Sequence, residues 1–274
     1  MISPNIQEQL RNEYNPEGSD LRIIQLKMLD ILLEFDRICK KHNIKYWLDS
    51  GTLIGAVRHG GFIPWDDDMD VCILRKSYNK LRRVMQSELI KPYSFYCKDS
   101  KDRYARRWPR IVDESVTITR LVSHPNNTPV SRTDNLWLDV FQLIEGSPKV
   151  SKVLNEFYGR CYRRKFKLIN DGFLKYLTGV VLFPISRVLC LIAGFMGKIF
   201  HNGYFIHDFG TGFYSIRKKS DIFPLGEIEF EGHMFPSPKD CHSYLSGIYG
   251  DFMQLPDKAN RQTHNFTKIE FHME

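Results

Sequence analysis

The chain has 274 residues, 42% hydrophobic and 26% charged, with 39 Lys and Arg against 32 Asp and Glu and a formal net charge of +7. That balance excludes a disordered chain and accommodates one elaborated domain, or one domain with an accessory helical region. The positive surplus suits anionic partners, and nucleic acid is the weaker account among them because zinc-finger spacing, an RNA-binding aromatic signature and a recognition helix are all missing.

Residues 1–18 are polar and read as a flexible N-terminal arm without the basic start and apolar run of a signal peptide. Six cysteines are scattered without a CxxC pair, so a disulfide framework is not expected and Cys39 and Cys72 read as small hydrophobes. These two features imply a cytoplasmic location. Ser19 or Asp20 caps a long helix whose Leu21, Ile24, Met28, Ile31, Phe35 and Ile38 recur at steps of three and four. That stripe is expected to pack on a sheet. Ile44 to Leu48 (IKYWL) reads as a strand ending at Asp49-Ser50-Gly51-Thr52. Gly51 permits a close backbone approach, and Thr52 is placed to cap the helix that continues from Leu53 to His59. The free N–H groups of that helix would face a phosphate.

The segment GTLIGAVRHGGFIPWDDDMD, residues 51–70, is the most informative stretch of the chain. It closes on Asp66, Asp67, Asp68 and Asp70, followed by the apolar strand Val71 to Leu74. Crowded carboxylates repel one another and lose hydration when enclosed, a penalty that a hard divalent cation converts into binding energy. On a strand, Asp68 and Asp70 share a face while Met69, Val71 and Ile73 turn to the core. An EF-hand is excluded, because Val71 and Ser77 stand where its Gly and closing acid belong. Oxygen ligands favour Mg2+ or Mn2+ over Zn2+.

Farther along, Ser77 opens a helix with Leu81, Val84, Met85 and Leu89 inward, and residues 91–145 alternate short strand-like runs with polar turns. KDRYARRWPR, residues 101–110, places Arg106, Arg107 and Arg110 either against a donor's phosphates or on a solvated basic edge. Leu136 to Phe141 is an apolar run interrupted by Asp139. Residues 151–203 hold a basic helix and then the most apolar part of the chain, interrupted by Pro184 and Arg187. That part reads either as a helical hairpin packed on the catalytic domain or as a segment in the membrane interface, with Arg163, Arg164, Lys165 and Lys167 meeting anionic lipid. Boundaries follow: a core over 19–150, a helical insertion over 151–203, and a C-terminal part of the same catalytic domain over 204–274.

The Gly-Thr turn, helix and Asp-x-Asp strand resemble the LicD family, a branch of the nucleotidyltransferase fold that also includes fukutin and the fukutin-related protein. ICKKHNIKYWLDSG (38–51) and FEGHMFPSPKDCHSYLSGIYGDFMQLP (230–256) extend the likeness, which runs from about Leu21 to about His264 and is weakest in the middle. The resemblance implies an α+β fold, a nucleotidyltransferase-like mixed sheet flanked by helices, to which the apolar helical region is added. It also implies a phosphotransferase that moves a phospho-alcohol, most often phosphocholine, from a CDP-linked donor to a sugar hydroxyl of a surface glycan or lipid-linked saccharide. Asp68 and Asp70 match the fold's metal-binding pair, and Asp139 is the third carboxylate expected from a neighbouring strand, able also to take the acceptor's proton.

Asp66 is expected to orient a ligand or hold Arg58, and Asp67 to face solvent. Arg58 and His59 either reach the diphosphate or lie on the surface. Trp65 either walls the pocket, where its face would suit a choline headgroup, or packs in the core. Lys239, Asp240, Tyr249, Gly250 and Asp251 match family positions and read as a lid or sugar-binding edge, with Arg261 and His264 beyond them. A peripheral contact with the inner face of the cell membrane would suit a lipid-linked acceptor. Two other classes remain open: transfer of a nucleotide with release of pyrophosphate, and a non-catalytic glycan- or nucleotide-binding module.

Overall fold

The computed structural model describes residues 1–97, 108–123, 129–146, 148–165, 172–200, 203–208, 213, 215–261 and 266–272. In chain order the first half comprises α1 (Pro4–Tyr14), α2 (Asp20–Lys41), β1 (Tyr46–Leu48), α3 (Ser50–His59), β2 (Asp70–Leu74), α4 (Tyr78–Glu88), β3 (Tyr93–Tyr96), β4 (Arg110–Ser123) and β5 (Pro129–Glu145). There follow α5 (Pro148–Lys165), α6 (Phe173–Ile199), β6 (Tyr204–His207), β7 (Ile216–Lys218), α7 (Lys219–Ile222), β8 (Gly226–Phe230), β9 (His233–Ser237), α8 (Cys241–Tyr249) and β10 (Phe266–Phe271). The class is α+β, a mixed sheet flanked by helices.

One sheet runs β1-β2-β5-β4-β10, with β3 also on β4 and with β6 joining β5 to β7; β8 and β9 form a separate hairpin. All its pairings are antiparallel except β2 with β5. The central strands are apolar because both faces are covered: Val71, Cys72, Ile73, Leu138 and Val140 are all fully buried. α2 lies on this core as its stripe predicts, with Met28, Ile31, Phe35 and Ile38 fully enclosed and the Ser19 hydroxyl accepting the Arg22 N–H at 3.3 Å. Each such burial contributes about 1.5–3 kcal/mol before conformational entropy is set against it.

Three expectations change. The N-terminal arm contains a helix, α1, which buries Leu10 in the main core and packs Tyr14 on it. Ile6, Leu10 and Tyr14 recur at steps of four, a narrow apolar edge that the polar composition of the segment masks. Among the described residues of 91–145, β4 and β5 are long strands rather than short alternating runs; their register shifts between Asp113 and Thr117, and that bulge breaks the period-two pattern. Finally, α6 continues through Pro184 and Arg187. Phe183, Ser186 and Cys190 on either side of them keep a single stripe buried along it.

Candidate active site

The parallel pairing of β2 and β5 sets Asp70 beside Asp139, and the antiparallel pairing of β4 with β5 sets Arg110 opposite the same Asp139. Upstream of β2 the exposure already alternates residue by residue. Asp66, Asp68 and Asp70 are half-buried along one side, while Asp67, Met69 and Val71 turn into the protein. Three carboxylates two residues apart therefore line one wall of a cleft of about 450 Å³. The cleft also takes in Ser50, Gly51, Trp108, Arg110, Arg120, Trp137, Asp139, Phe141, His207, Phe213, Ser215, Arg217 and Tyr249.

Gly51 has a steric duty here. A Cβ on it would stand 2.6 Å from Asp66 Oδ2, so the carboxylate rests where a side chain would otherwise be. Thr52, expected as a helix cap, lies inside α3, whose N-cap position is Asp49; its Oγ1 instead accepts the Asp70 N–H at 2.8 Å and ties the helix to the acidic strand. Burial pushes the carboxyls of Asp66 and Asp70 well above the usual carboxylate range, and the neighbouring Asp68 pushes both further. A group that holds a proton so tightly also draws a cation.

Asp139 is differently placed. Arg110 donates to both of its oxygens, to Oδ1 through Nε and to Oδ2 through Nη2 at 2.9 Å. Trp108 Nε1 donates to Oδ1 at 2.7 Å and Trp137 Nε1 to Oδ2 at 3.0 Å. The guanidinium groups of Arg110 and Arg120 lie 4.2 and 4.3 Å from the centroid of Trp137. Among the described residues no three Asp, Glu, His or Cys side chains are grouped so as to hold a metal ion as they stand.

Other expected residues lie elsewhere. Arg58 is buried away from the cleft; its Nη1 donates to the Phe252 carbonyl at 2.6 Å and its Nε to His59 Nε2 at 2.9 Å, stapling α3 to the C-terminal region. Trp65 packs edge-on to Tyr14 at 5.3 Å, with the Arg261 guanidinium 5.4 Å from its ring centre, so it walls the α1 side of the core. Asp67, expected in solvent, is 2% exposed. Lys239 is exposed and does not line the cleft, and Asp240 caps α8 by accepting the Ser243 N–H at 2.9 Å. Tyr249 does line the cleft. Arg106, Arg107 and His264 lie outside the described residues.

A second polar cluster escaped the sequence reading. Asp49, at the end of β1, is enclosed with Arg217 of β7, whose Nη2 donates to Asp49 Oδ2 at 2.8 Å. Tyr244 Oη donates to Asp49 Oδ1 at 2.6 Å, and the Cys72 thiol to Oδ2 at 2.9 Å. Burial, the largest single influence, would raise the Asp49 carboxyl, but Arg217 and the hydrogen bonds from Cys72 and Tyr244 act together against it and hold the group below the usual range. His207, on the adjoining cleft wall, is brought down to about 3 by burial and by Arg217, so the ring is neutral. Its Nδ1 is enclosed without a hydrogen-bond partner among the described residues. The one local signal was an acid closing the apolar run IKYWLD; its partner stands 168 residues away.

Residues 43–149, which include α3, β2, β4 and all of β5, match the model of the LicD/FKTN/FKRP nucleotidyltransferase domain. The chain carries a LicD-family domain. Beyond that domain, the chain is 29% identical over 262 residues to the lipopolysaccharide cholinephosphotransferase LicD of Haemophilus influenzae, covering 89% of this chain and 96% of that protein. A shorter stretch of 60 residues is 42% identical to an uncharacterized protein of Rickettsia prowazekii, 22% of this chain and 23% of the other. Forty-five residues are 40% identical to the human ribitol 5-phosphate transferase FKRP, 16% of this chain and 9% of the relative. Relation to the fukutin-related proteins thus rests on the domain match and on those 45 residues.

Proposed function

We propose that this protein is a metal-dependent phosphotransferase that moves a phospho-alcohol, phosphocholine first among them, from a CDP-linked donor to a hydroxyl of a cell-surface glycan or lipid-linked saccharide. The observation that carries this reading is the wall of Asp66, Asp68 and Asp70 sharing one cleft with Asp139 and Arg110, on a strand–helix–strand unit that holds Gly51. The name of the Haemophilus relative, aligned over nearly all of its length, supports the transfer of choline phosphate to a lipopolysaccharide.

Asp68 and Asp70, with Asp66 beside them, would hold Mg2+ or Mn2+. Mg2+ is commonly bound by one or two carboxylates and completed by water and substrate phosphate, so an open acidic wall suits it better than a closed cage. Bound there, the ion would neutralise charge on the diphosphate and on departing CMP. Asp139 accepts from three side chains, an arrangement that fixes the guanidinium of Arg110 and the indole of Trp108 in the cleft wall.

The opposite wall favours choline among the alcohols. Trp108, Phe141 and Phe213 sit with ring centroids 5.2 to 5.8 Å apart, and all three line the cleft. Aromatic faces attract a quaternary ammonium and offer a polyol no comparable gain. The test is product analysis with CDP-choline labelled in the choline methyls, a saccharide acceptor and Mg2+. Labelled acceptor together with free CMP supports the proposal, whereas acceptor carrying the nucleotide, with pyrophosphate released from a triphosphate donor, would replace it with nucleotidyl transfer.

A further inference from the structure

The hairpin of α5 and α6 is built inside out for a water-facing element. Along α6 the buried positions are Gly179, Phe183, Ser186, Cys190 and Gly197, a single narrow stripe. Its glycines meet backbone: a Cβ on Gly179 would stand 2.8 Å from Lys165 N, and one on Gly197 would stand 2.4 Å from the Glu145 carbonyl oxygen. Small residues thus face the protein, while large apolar residues face away. Leu174, Leu177, Val181, Ile185, Val188, Ile192 and Phe195 are 41–78% exposed and recur at steps of three and four on the side opposite the buried stripe. Single exposed hydrophobics need no explanation, but a continuous face several turns long does.

Charge identifies what covers that face. Residues 148–200 contain ten Lys and Arg against two acids, so the hairpin alone carries more than the whole surplus of +7. Lys175 and Arg187 are exposed and by helical spacing flank the buried stripe, at the border between the protein and the apolar face. In α5, Arg163, Arg164 and Lys165 fill the last turn, and Lys165 extends over the ring of Phe183 at 4.3 Å. An apolar face bordered by cations fits a membrane surface with anionic headgroups, into which the long side chains snorkel. A second copy of the chain would oppose one basic hairpin to another and is disfavoured by that repulsion.

We infer that the α5–α6 hairpin seats this protein on an anionic membrane surface, with α6 lying in the interface plane and its outer apolar face in the acyl boundary. The helix is long and apolar enough to cross a bilayer by length and composition. It lies flat instead, because its buried stripe stays against α5 and the end of β5 along most of its length, where lipid cannot surround it.

The test is flotation of the full chain with vesicles of phosphatidylcholine alone and with phosphatidylglycerol added, together with light scattering on the vesicle-free protein. Binding is expected on the anionic vesicles and is expected to weaken as salt rises. Ile185→Glu with Ile192→Glu should lower the bound fraction at least tenfold, with circular dichroism unchanged. Lys175→Glu with Arg187→Glu should remove the preference for anionic lipid, and serves should the first variant misfold. Absence of wild-type binding, equal binding by both variants, or a vesicle-indifferent dimer that the Ile variant splits would each overturn the inference. The measurement reads no turnover, so its failure is distinct from failure of the proposed reaction.

Discussion

Replacing Arg217 with Met tests whether the buried polar cluster holds the cleft together. Arg217 is 2% exposed and Asp49 fully enclosed, and the guanidinium is the cationic partner that lies against that carboxylate at 2.8 Å. Removing one partner of such a pair leaves an uncompensated charge and typically costs about 3–5 kcal/mol. Tyr244 and Cys72 still donate to Asp49, which places the expectation at the lower end, near 3 kcal/mol. Urea unfolding followed by circular dichroism measures it, and total stabilities of about 5–15 kcal/mol make the loss visible.

The pH dependence supplies an internal control. In the native protein the Asp49 carboxyl lies below its unfolded value, so its contribution is complete above about pH 4 and is lost as the pH falls through the lower folded value. In the variant, burial acts without Arg217 and raises the carboxyl, which reverses the sign: the variant is penalised above the unfolded value and relieved in acid. The gap between the two proteins should therefore be largest near neutrality and shrink toward pH 4. A further change of Asp49→Asn in the variant should recover part of the loss. An Arg217→Met protein within about 1 kcal/mol of wild type at pH 7, or a gap that does not move with pH, would refute the reasoning.

Other expectations concern the cleft directly. Gly51→Ala should leave the melting temperature equal or slightly higher, since Ala is favoured over Gly in a helix by up to about 1 kcal/mol. Its Cβ should also displace Asp66 and reduce kcat/KM at least tenfold; unchanged turnover would show that Asp66 has no part in the reaction. Phe213→Ala should raise KM for CDP-choline several-fold and leave CDP-ribitol or CDP-glycerol unaffected; an equal rise for all three donors would remove the aromatic wall from choline selection. A thermal-shift screen of those donors with and without Mg2+ should show stabilisation that needs both components, and a shift independent of Mg2+ would count against the acidic wall as a metal site.

What the sequence disclosed depends on how local each signal is. The stripe of α2, the acidic segment before β2 and the apolar strand after it are short-range patterns, and the structure has them close to the expected residues. Asp139 stood out as an acid in an apolar run, and the β2–β5 pairing sets it beside Asp70. Its capture by Arg110 was invisible, because it depends on the antiparallel register of β4. Asp49 and Arg217 escaped for the same reason at a longer range. Arg58 lies in the last turn of α3, before the left-handed Gly60 with its φ of 68°, and Trp65 lies in the loop after it; the first is taken up by the Phe252 carbonyl and the second packs on Tyr14, so neither lines the cleft. Proximity along the chain is a poor guide where a left-handed turn intervenes.

The central claim, that the acidic wall of β2 performs the transfer, is tested most directly by Asp70→Asn. The substitution keeps the shape of the side chain and leaves the backbone N–H that donates to Thr52. Release of CMP from CDP-choline at saturating Mg2+ should fall to background while the unfolding midpoint stays at or above that of wild type, because a crowded carboxyl has been removed. Wild-type CMP release by a folded Asp70→Asn protein would contradict the account.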